Sequence, residues 1–284
     1  MILLTFEQDG TYQLGVKTDK GVIDVTGIEP TLTPDAFFSQ GSTMLSRLHE
    51  ILAEADESMT HAEDSLKIGP PVPNPGKILC VGLNYQPHAA ESNMEAPEYP
   101  VLFSKFNNAI AATGEDVPIA SDWKAVDYEA EMVVVIGKTA HRVSEADALG
   151  CVLGYCNGSD FSERDLQFRS GQWLLGKTAD NFLPIGPYLV TTDEIPDPQN
   201  LPIRGWYNGE LRQESNTANM IFAVATIIAY ASQYMTLNPG DIISTGTPEG
   251  VIIGRPEKDY MRPGDEYIVE VGPLGRLTNK LVEM

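Results

Sequence analysis

Two glutamates one residue apart head an apolar run, Glu129-Ala-Glu131-Met-Val-Val-Val-Ile136. In an extended strand alternate residues share a face. Glu129, Glu131, Val133 and Val135 then point one way, and Ala130, Met132, Val134 and Ile136 the other. Burying two like charges side by side is costly without compensation. Either the pair lies at the wet end of the strand or a cation neutralises it. Hard carboxylate oxygens suit Mg2+, Mn2+ or Ca2+ better than zinc. A bare Glu-x-Glu is weak evidence for metal. Asp160 strengthens it, because it follows the next apolar strand, Cys151–Asn157, and an aspartate leaving a neighbouring strand end supplies a third ligand.

The elements that must hold these groups are mainly β. From Lys77 onward, strands are expected at Ile78–Leu83, Val101–Phe106, Glu129–Ile136, Cys151–Asn157 and Tyr188–Thr191. Further strands are expected at Ile203–Tyr207, Glu210–Gln213, Asp241–Thr245, Glu266–Val271 and Arg276–Leu281. Asn208-Gly209 reads as a two-residue hairpin turn. Ser144 and Ser162 stand three residues ahead of Asp147 and Asp165, a pattern that starts helices. Thr217 is expected to cap a helix over Met220–Met235, ended by Asn238-Pro239-Gly240. Strands this irregularly spaced, with few helices, predict an α+β, mainly β chain folded as a compact, mixed β barrel or roll, not an alternating βαβ sheet.

Residues 1–70 read as a small α+β domain of their own. Ile2–Phe6, Tyr12–Val16 and Val22–Val25 are strand-like, and Met44–Ala55 carries Leu45, Leu48, Ile51 and Leu52 on one helical face. Gly69-Pro-Pro-Val-Pro-Asn-Pro-Gly76 can continue neither helix nor central strand, which puts the boundary of a 71–284 catalytic domain there.

Composition narrows the functional classes. Forty acidic residues against 19 basic ones give a net charge of −21, so phosphate backbones and anionic membranes are repelled and no nucleic-acid or membrane partner is expected. An anionic substrate must therefore meet local positive charge, from a metal or from a few placed Lys and Arg. The longest apolar stretch, Met220–Ala231, is too short to span a bilayer. The N-terminus has no signal-peptide pattern, and three cysteines without a CxxC pair suit reduced thiols in the cytoplasm. There is no dinucleotide loop, P-loop, GxSxG elbow or HExxH. Asn157-Gly158-Ser159 matches a glycosylation sequon that carries no meaning in a cytoplasmic protein.

Five spaced motifs over residues 77–284 give a resemblance. They are Gly82-Leu-Asn84-Tyr85-x-x-His88-x-x-Glu91, Asp127-Tyr-Glu129-x-Glu131, Gly154-Tyr-Cys-Asn-Gly-Ser-Asp160-x-Ser-x-Arg164-Asp-Leu-Gln167, Gly176-Lys177 and Thr245-Gly-Thr247-Pro-x-Gly250. In this order they resemble the fumarylacetoacetate hydrolase family. Its members include fumarylacetoacetate and acylpyruvate hydrolases, oxaloacetate decarboxylases and 2-hydroxyhepta-2,4-diene-1,7-dioate isomerases. The resemblance implies a β-roll core, a homodimer and a divalent cation, commonly Mg2+ or Mn2+, with Ca2+ as an alternative.

Carried over, the resemblance implies that Glu129, Glu131 and Asp160 hold the cation. His88 and Glu91 match an acid–base dyad, with i, i+3 spacing on one helical face. Lys177 matches a lysine that supports a developing oxyanion. Tyr85, Arg164, Gln167 and Thr247 stand where relatives contact substrate. The polar, proline-bearing segment after His88 suits a lid that orders over substrate. The chain departs from many relatives at Ser104-Lys105-Phe106, where a Lys-Pro is common, and at Asn157-Gly158-Ser159, where small apolar residues precede the aspartate. Both bear on pocket shape. Trp123, Trp173 and Trp206 are read as packing residues.

The implied reaction is hydrolytic C–C cleavage of a β-diketo acid of the acylpyruvate or fumarylpyruvate type, acting on a small anionic keto acid. Decarboxylation or keto–enol isomerisation of an oxaloacetate-type acid in the same site is the alternative, since all three need a stabilised enolate. A non-catalytic, metal-bound scaffold is a third reading, against which the retained His88, Glu91 and Lys177 argue.

Overall fold

The computed structural model describes residues 1–91 and 95–284. Its organising element is the strand Ala130–Ile136, paired antiparallel with Val152–Ser159 on one side and Ile242–Ser244 on the other. Met132, Val134 and Ile136 enter one hydrophobic core and Val133 and Val135 enter another. Both faces are therefore covered, which is why Met132 to Ile136 are all apolar.

The main sheet runs in the order Thr60–His61, Gly21–Asp24, Thr11–Thr18, Ile2–Gln8, Leu183–Thr191, Val152–Ser159, Ala130–Ile136, Ile242–Ser244, Ile78–Gly82 and Val101–Ser104. Along this path only the pairing of Ile242–Ser244 with Ile78–Gly82 is parallel. A second sheet orders Glu210–Asn216, Pro202–Tyr207, Glu266–Val271, Arg276–Glu283 and Asp116–Ile119. One core joins the two sheets: Met132, Val134 and Tyr155 of the first pack with Ile203, Tyr267, Val269 and Leu281 of the second. The fold is a strand-rich α+β architecture of mixed sheets, as the sequence leads one to expect.

Asn157 fastens the sheets together. Its amide donates to the carbonyls of Gly186, Leu274 and Gly275 and accepts from Val271 N–H at 2.7 Å. The side chain that departs from the small apolar pattern is thus satisfied inside the protein and does not line the cavity described below.

The first strand pairs Ile2 with Val190 and Leu3 with Leu189, so the N-terminal strands extend the same sheet as the central ones. Helices Pro34–Gln40 and Leu45–Glu54 place Phe37, Phe38, Leu48 and Ile51 in the core with Val133, Val135 and Leu153. Lys17 adds a polar tie, donating to the Tyr188 hydroxyl at 2.7 Å and pairing with Glu63 at 2.6 Å.

Three local expectations are corrected. The helix expected over Met220–Met235 is Val224–Ser232. Thr217 does not cap it, because its hydroxyl donates to Pro198 O and accepts from Leu201 N–H. Ser162 does not start the next helix, since its hydroxyl is taken by Asp160 O; Glu163 caps Arg164–Gln167 by accepting from Leu166 N–H. Asn208 and Gly209 both have positive φ, as the hairpin turn requires. No helix among the described residues is long and apolar enough to cross a membrane.

Candidate metal centre and acid–base dyad

The register between the two central strands assembles the acidic cluster. Glu131 lies opposite Gly158 and Ala130 opposite Ser159, and Asp160 N–H then donates to Glu129 O at 3.0 Å. One step beyond its strand, Asp160 joins Glu129 and Glu131. Carboxylate oxygens of all three lie within 4.8 Å of one another, and all three residues are buried.

Three basic side chains press on this cluster. Arg164 Nη2 lies 2.8 Å from Glu129 Oε1, and Lys177 Nζ lies 2.8 Å from Glu129 Oε2 and 3.0 Å from Asp160 Oδ2. Lys105 Nζ lies 2.6 Å from Asp160 Oδ1. Burial works to raise the Glu129 carboxyl, but Lys177, Arg164 and His88 hold it down at about 2. Glu131 has no ion pair among the described residues; Oε2 accepts from the Ser244 hydroxyl and from Gly246 N–H at 2.8 Å. Burial, and then the charges of Asp160 and Glu129, push it well above the usual carboxylate range. A buried carboxylate without a counter-charge beside two others is the arrangement a divalent cation relieves. The hard three-oxygen set therefore fits a divalent cation, and the Lys177 ammonium holds positive charge between two of its members.

Arg164 is itself held. Its Nε and Nη2 reach Asp127 Oδ2 at 2.9 and 2.8 Å, and Nη1 donates to Gln167 Oε1 at 2.8 Å. Asp127 also accepts from the N–H groups of Tyr128, Ile252 and Ile253.

The dyad stands on the short helix Gln86–Glu91. His88 Nδ1 and Glu91 Oε1 are 2.9 Å apart, and Glu91 Oε2 accepts from Gly250 N–H at 3.0 Å. Asn84 anchors the start of this helix, with its side chain bonded to Thr245 O and to both backbone groups of Phe222. The loop Thr245–Gly250 serves both halves of the site, Gly246 binding Glu131 and Gly250 binding Glu91. Both glycines have positive φ, and a Cβ would lie 2.9 Å from Val81 O at Gly246 and 2.1 Å from Arg212 O at Gly250. Only glycine fits.

A cavity of about 320 Å3 opens over the cluster. Of the residues singled out from the sequence, His88, Glu91, Glu129, Glu131, Arg164, Gln167, Lys177 and Thr247 line it. Asp160 lies behind this lining. Tyr85 is also outside it, buried, and its hydroxyl has no hydrogen-bond partner among the described residues. The Thr247 hydroxyl accepts from Gln213 Nε2 at 2.9 Å. Trp173 lines the cavity edge-on to Phe103, beyond the packing role expected of it, while Trp123 packs on Phe182. The expected lid includes residues 92–94, which lie outside the described residues.

Asp127 and Ser244 carry no expected role from the sequence. Lys105 stands in Ser104-Lys105-Phe106, which departs from the common Lys-Pro and is expected to bear on pocket shape; it does not line the cavity but reaches Asp160 from behind it. Asp127 stands in the Asp-x-Glu-x-Glu motif but was given no role there.

Residues 77–282 match the family described as fumarylacetoacetate (FAA) hydrolase C-terminal. The chain is 42% identical over 265 residues to the rat protein named oxaloacetate tautomerase Fahd2a, mitochondrial, covering 92% of this chain and 84% of that one. Among solved structures, 5-carboxymethyl-2-hydroxymuconate delta-isomerase from Mycobacterium smegmatis superimposes with a TM-score of 0.80 at 29% identity, all of both chains covered. Maleylpyruvate hydrolase from Sphingobium sp. SYK-6, solved in complex with manganese(II) and pyruvate, gives 0.82 at 27% identity, covering 100% of this chain and 99% of that one.

Proposed function

Since the chain belongs to the fumarylacetoacetate hydrolase family, a family of enzymes, we propose that it catalyses keto–enol tautomerisation of a small dicarboxylic keto acid of the oxaloacetate class. Glu129, Glu131 and Asp160 hold a divalent cation of the Mg2+ or Mn2+ kind in this reading. The observation that carries it is the His88–Glu91 pair on the wall of the same cavity as the acidic cluster. Support for tautomerisation over hydrolysis comes from the rat relative, whose name states that activity and whose identity is higher than that of the maleylpyruvate hydrolase.

Tautomerisation moves one proton between carbon and oxygen. With Nδ1 engaged by Glu91, His88 presents Nε2 to the substrate, takes the proton from the carbon next to the keto group and returns it at oxygen. Glu91 holds the ring and balances the imidazolium. Gly250 N–H fixes Glu91 in turn. When bound, the cation supplies positive charge against the enolate oxygen and the neighbouring carboxylate. Lys177 adds a second positive group at that oxygen, and Arg164, Gln167 and Thr247 orient the carboxylates. Phe103, Trp173 and Ile253 exclude water from the cavity wall. A keto acid that loses CO2 to leave an enolate draws on the same groups.

The test follows enol-oxaloacetate in the ultraviolet, with and without Mg2+ or Mn2+, beside pyruvate release from acetylpyruvate. Metal-dependent acceleration of enol decay supports the reading. Pyruvate release without tautomerisation returns the assignment to the hydrolase, the reading that likeness to maleylpyruvate hydrolase favours. Three buried free cysteines suit a reducing compartment. Cytoplasm fits, as does the mitochondrion named for the rat relative. A homodimer is part of this proposal, with exposed Phe106, Phe168 and Leu175 as apolar surface to cover.

A further inference from the structure

Each carboxylate of the acidic cluster has one oxygen engaged by a fixed partner, through an ion pair or a hydrogen bond. Glu129 Oε1 is held by Arg164 at 2.8 Å, Glu131 Oε2 by Ser244 and Gly246, and Asp160 Oδ1 by Lys105 at 2.6 Å. The opposite oxygens of Glu129 and Asp160 share the Lys177 ammonium, and Glu131 keeps Oε1.

The two lysines differ in how they are held. Lys177 lines the cavity and ends in the cluster, so its flexible stem lets the ammonium give way to an incoming cation. Lys105 is enclosed. Its side chain is fully buried, its Nζ donates to Phe161 O at 3.1 Å, Phe182 O at 2.9 Å and Lys177 O, and its charge pairs with Asp160 Oδ1. Four oxygens surround it, three of them backbone carbonyls, contributed by the adjacent Asp160 and Phe161, by Lys177 and by Phe182. The cage ties the chain at Asp160 and Phe161 to the end of the helix Leu174–Lys177.

We infer that Lys105 is a positioning residue that confines Asp160 to ligation through Oδ2 alone and so biases the centre towards Mg2+ or Mn2+ and against Ca2+. The inference rests on the cation site proposed above. Ca2+ takes six to eight oxygens and commonly grips a carboxylate by both. Mg2+ is content with single oxygens from one or two carboxylates, filling its other positions with water and substrate. A centre in which every carboxylate has one oxygen already engaged starves the larger ion first. Arg164 restrains Glu129 in the same manner, but it also lines the cavity, so Lys105 gives the cleaner test.

The experiment is calorimetric titration of the full chain, stripped of divalent ions, with Mn2+ and with Ca2+ separately. The wild type is expected to bind Mn2+ more tightly than Ca2+. Lys105→Met removes the ammonium at similar length. Its lost charge alters the attraction for both divalent ions alike, so the ratio of the two affinities reads the freedom of Asp160. That ratio should move by about tenfold towards Ca2+, the scale on which outer partners of metal ligands act. A lysine that served stability alone would lower Tm and leave the ratio where it was, which overturns the inference. Ca2+ binding to the wild type as tightly as Mn2+ overturns it as well, whether or not the variant folds. If neither ion binds the wild type, the cation site falls and this inference with it; if Mn2+ binds but the ratio is unmoved, only the role of Lys105 is lost.

Discussion

Gly250 N–H donates to Glu91 Oε2 at 3.0 Å while the other oxygen of Glu91 faces His88. The base is thus oriented through a carboxylate that the glycine loop holds, and that loop binds Glu131 through Gly246. Gly250 has φ near +102°, and a Cβ there would lie 2.1 Å from Arg212 O. Gly250→Ala should cost about 1–3 kcal/mol of stability, read by denaturant unfolding. It should also lower kcat, because the loop must retreat from Glu91. Unaltered stability and rate would show that the loop tolerates a side chain and that the contact with Glu91 is dispensable.

His88→Ala should lower kcat by about 10²–10⁴-fold, the usual contribution of a general base, with Mn2+ binding and Tm nearly unchanged. Glu91→Ala should lose less. The double variant should lose little beyond His88→Ala, because the two act as a unit. Near-normal turnover in His88→Ala, or its failure to fold, would remove the dyad from the mechanism.

Glu129→Gln and Asp160→Asn should each abolish most Mn2+ affinity, since each takes one of three carboxylates from the set. Calorimetry on the metal-stripped chain reads this directly. Wild-type binding in both variants would place the ion elsewhere.

Lys177→Met should lower Tm most when metal is absent. The ammonium between Glu129 Oε2 and Asp160 Oδ2 is then the charge that offsets these buried carboxylates. Saturating Mn2+ should narrow the Tm gap to wild type, because the divalent ion takes over that role. A gap that is the same with and without Mn2+ would mean that Lys177 and the ion do not share the cluster.

Exposed Phe106, Phe168, Leu175 and Tyr234 leave apolar area that a partner copy covers in the proposed dimer. Light scattering at micromolar concentration should give twice the chain mass of 31.0 kDa. A monomer at that concentration would refute the assembly.

The sequence by itself determined the central strand, the assignment of its residues to two faces and the pairing of Glu129 with Glu131. Each follows from a two-residue period that any extended chain obeys, whereas the burial of both faces is seen only in the structure. It also determined the order of the motifs, and with it the family and most of the residues that line the cavity. Helix limits were less legible. Thr217 and Ser162 look like helix starts in isolation, but their hydroxyls are claimed by Pro198 O and Asp160 O, contacts made by neighbouring loops and strand ends. Only the tertiary structure decided that the N-terminal strands extend the central sheet, through Ile2 against Val190. It alone brought Lys105 to Asp160 across 55 positions of chain. A lysine after an apolar strand reads as a solvated end, because sequence period reports which face a residue takes and not what waits there. The charge on Asp160 and three backbone carbonyls make burial tolerable for that ammonium, and those partners come from segments that meet only when the sheet closes around them.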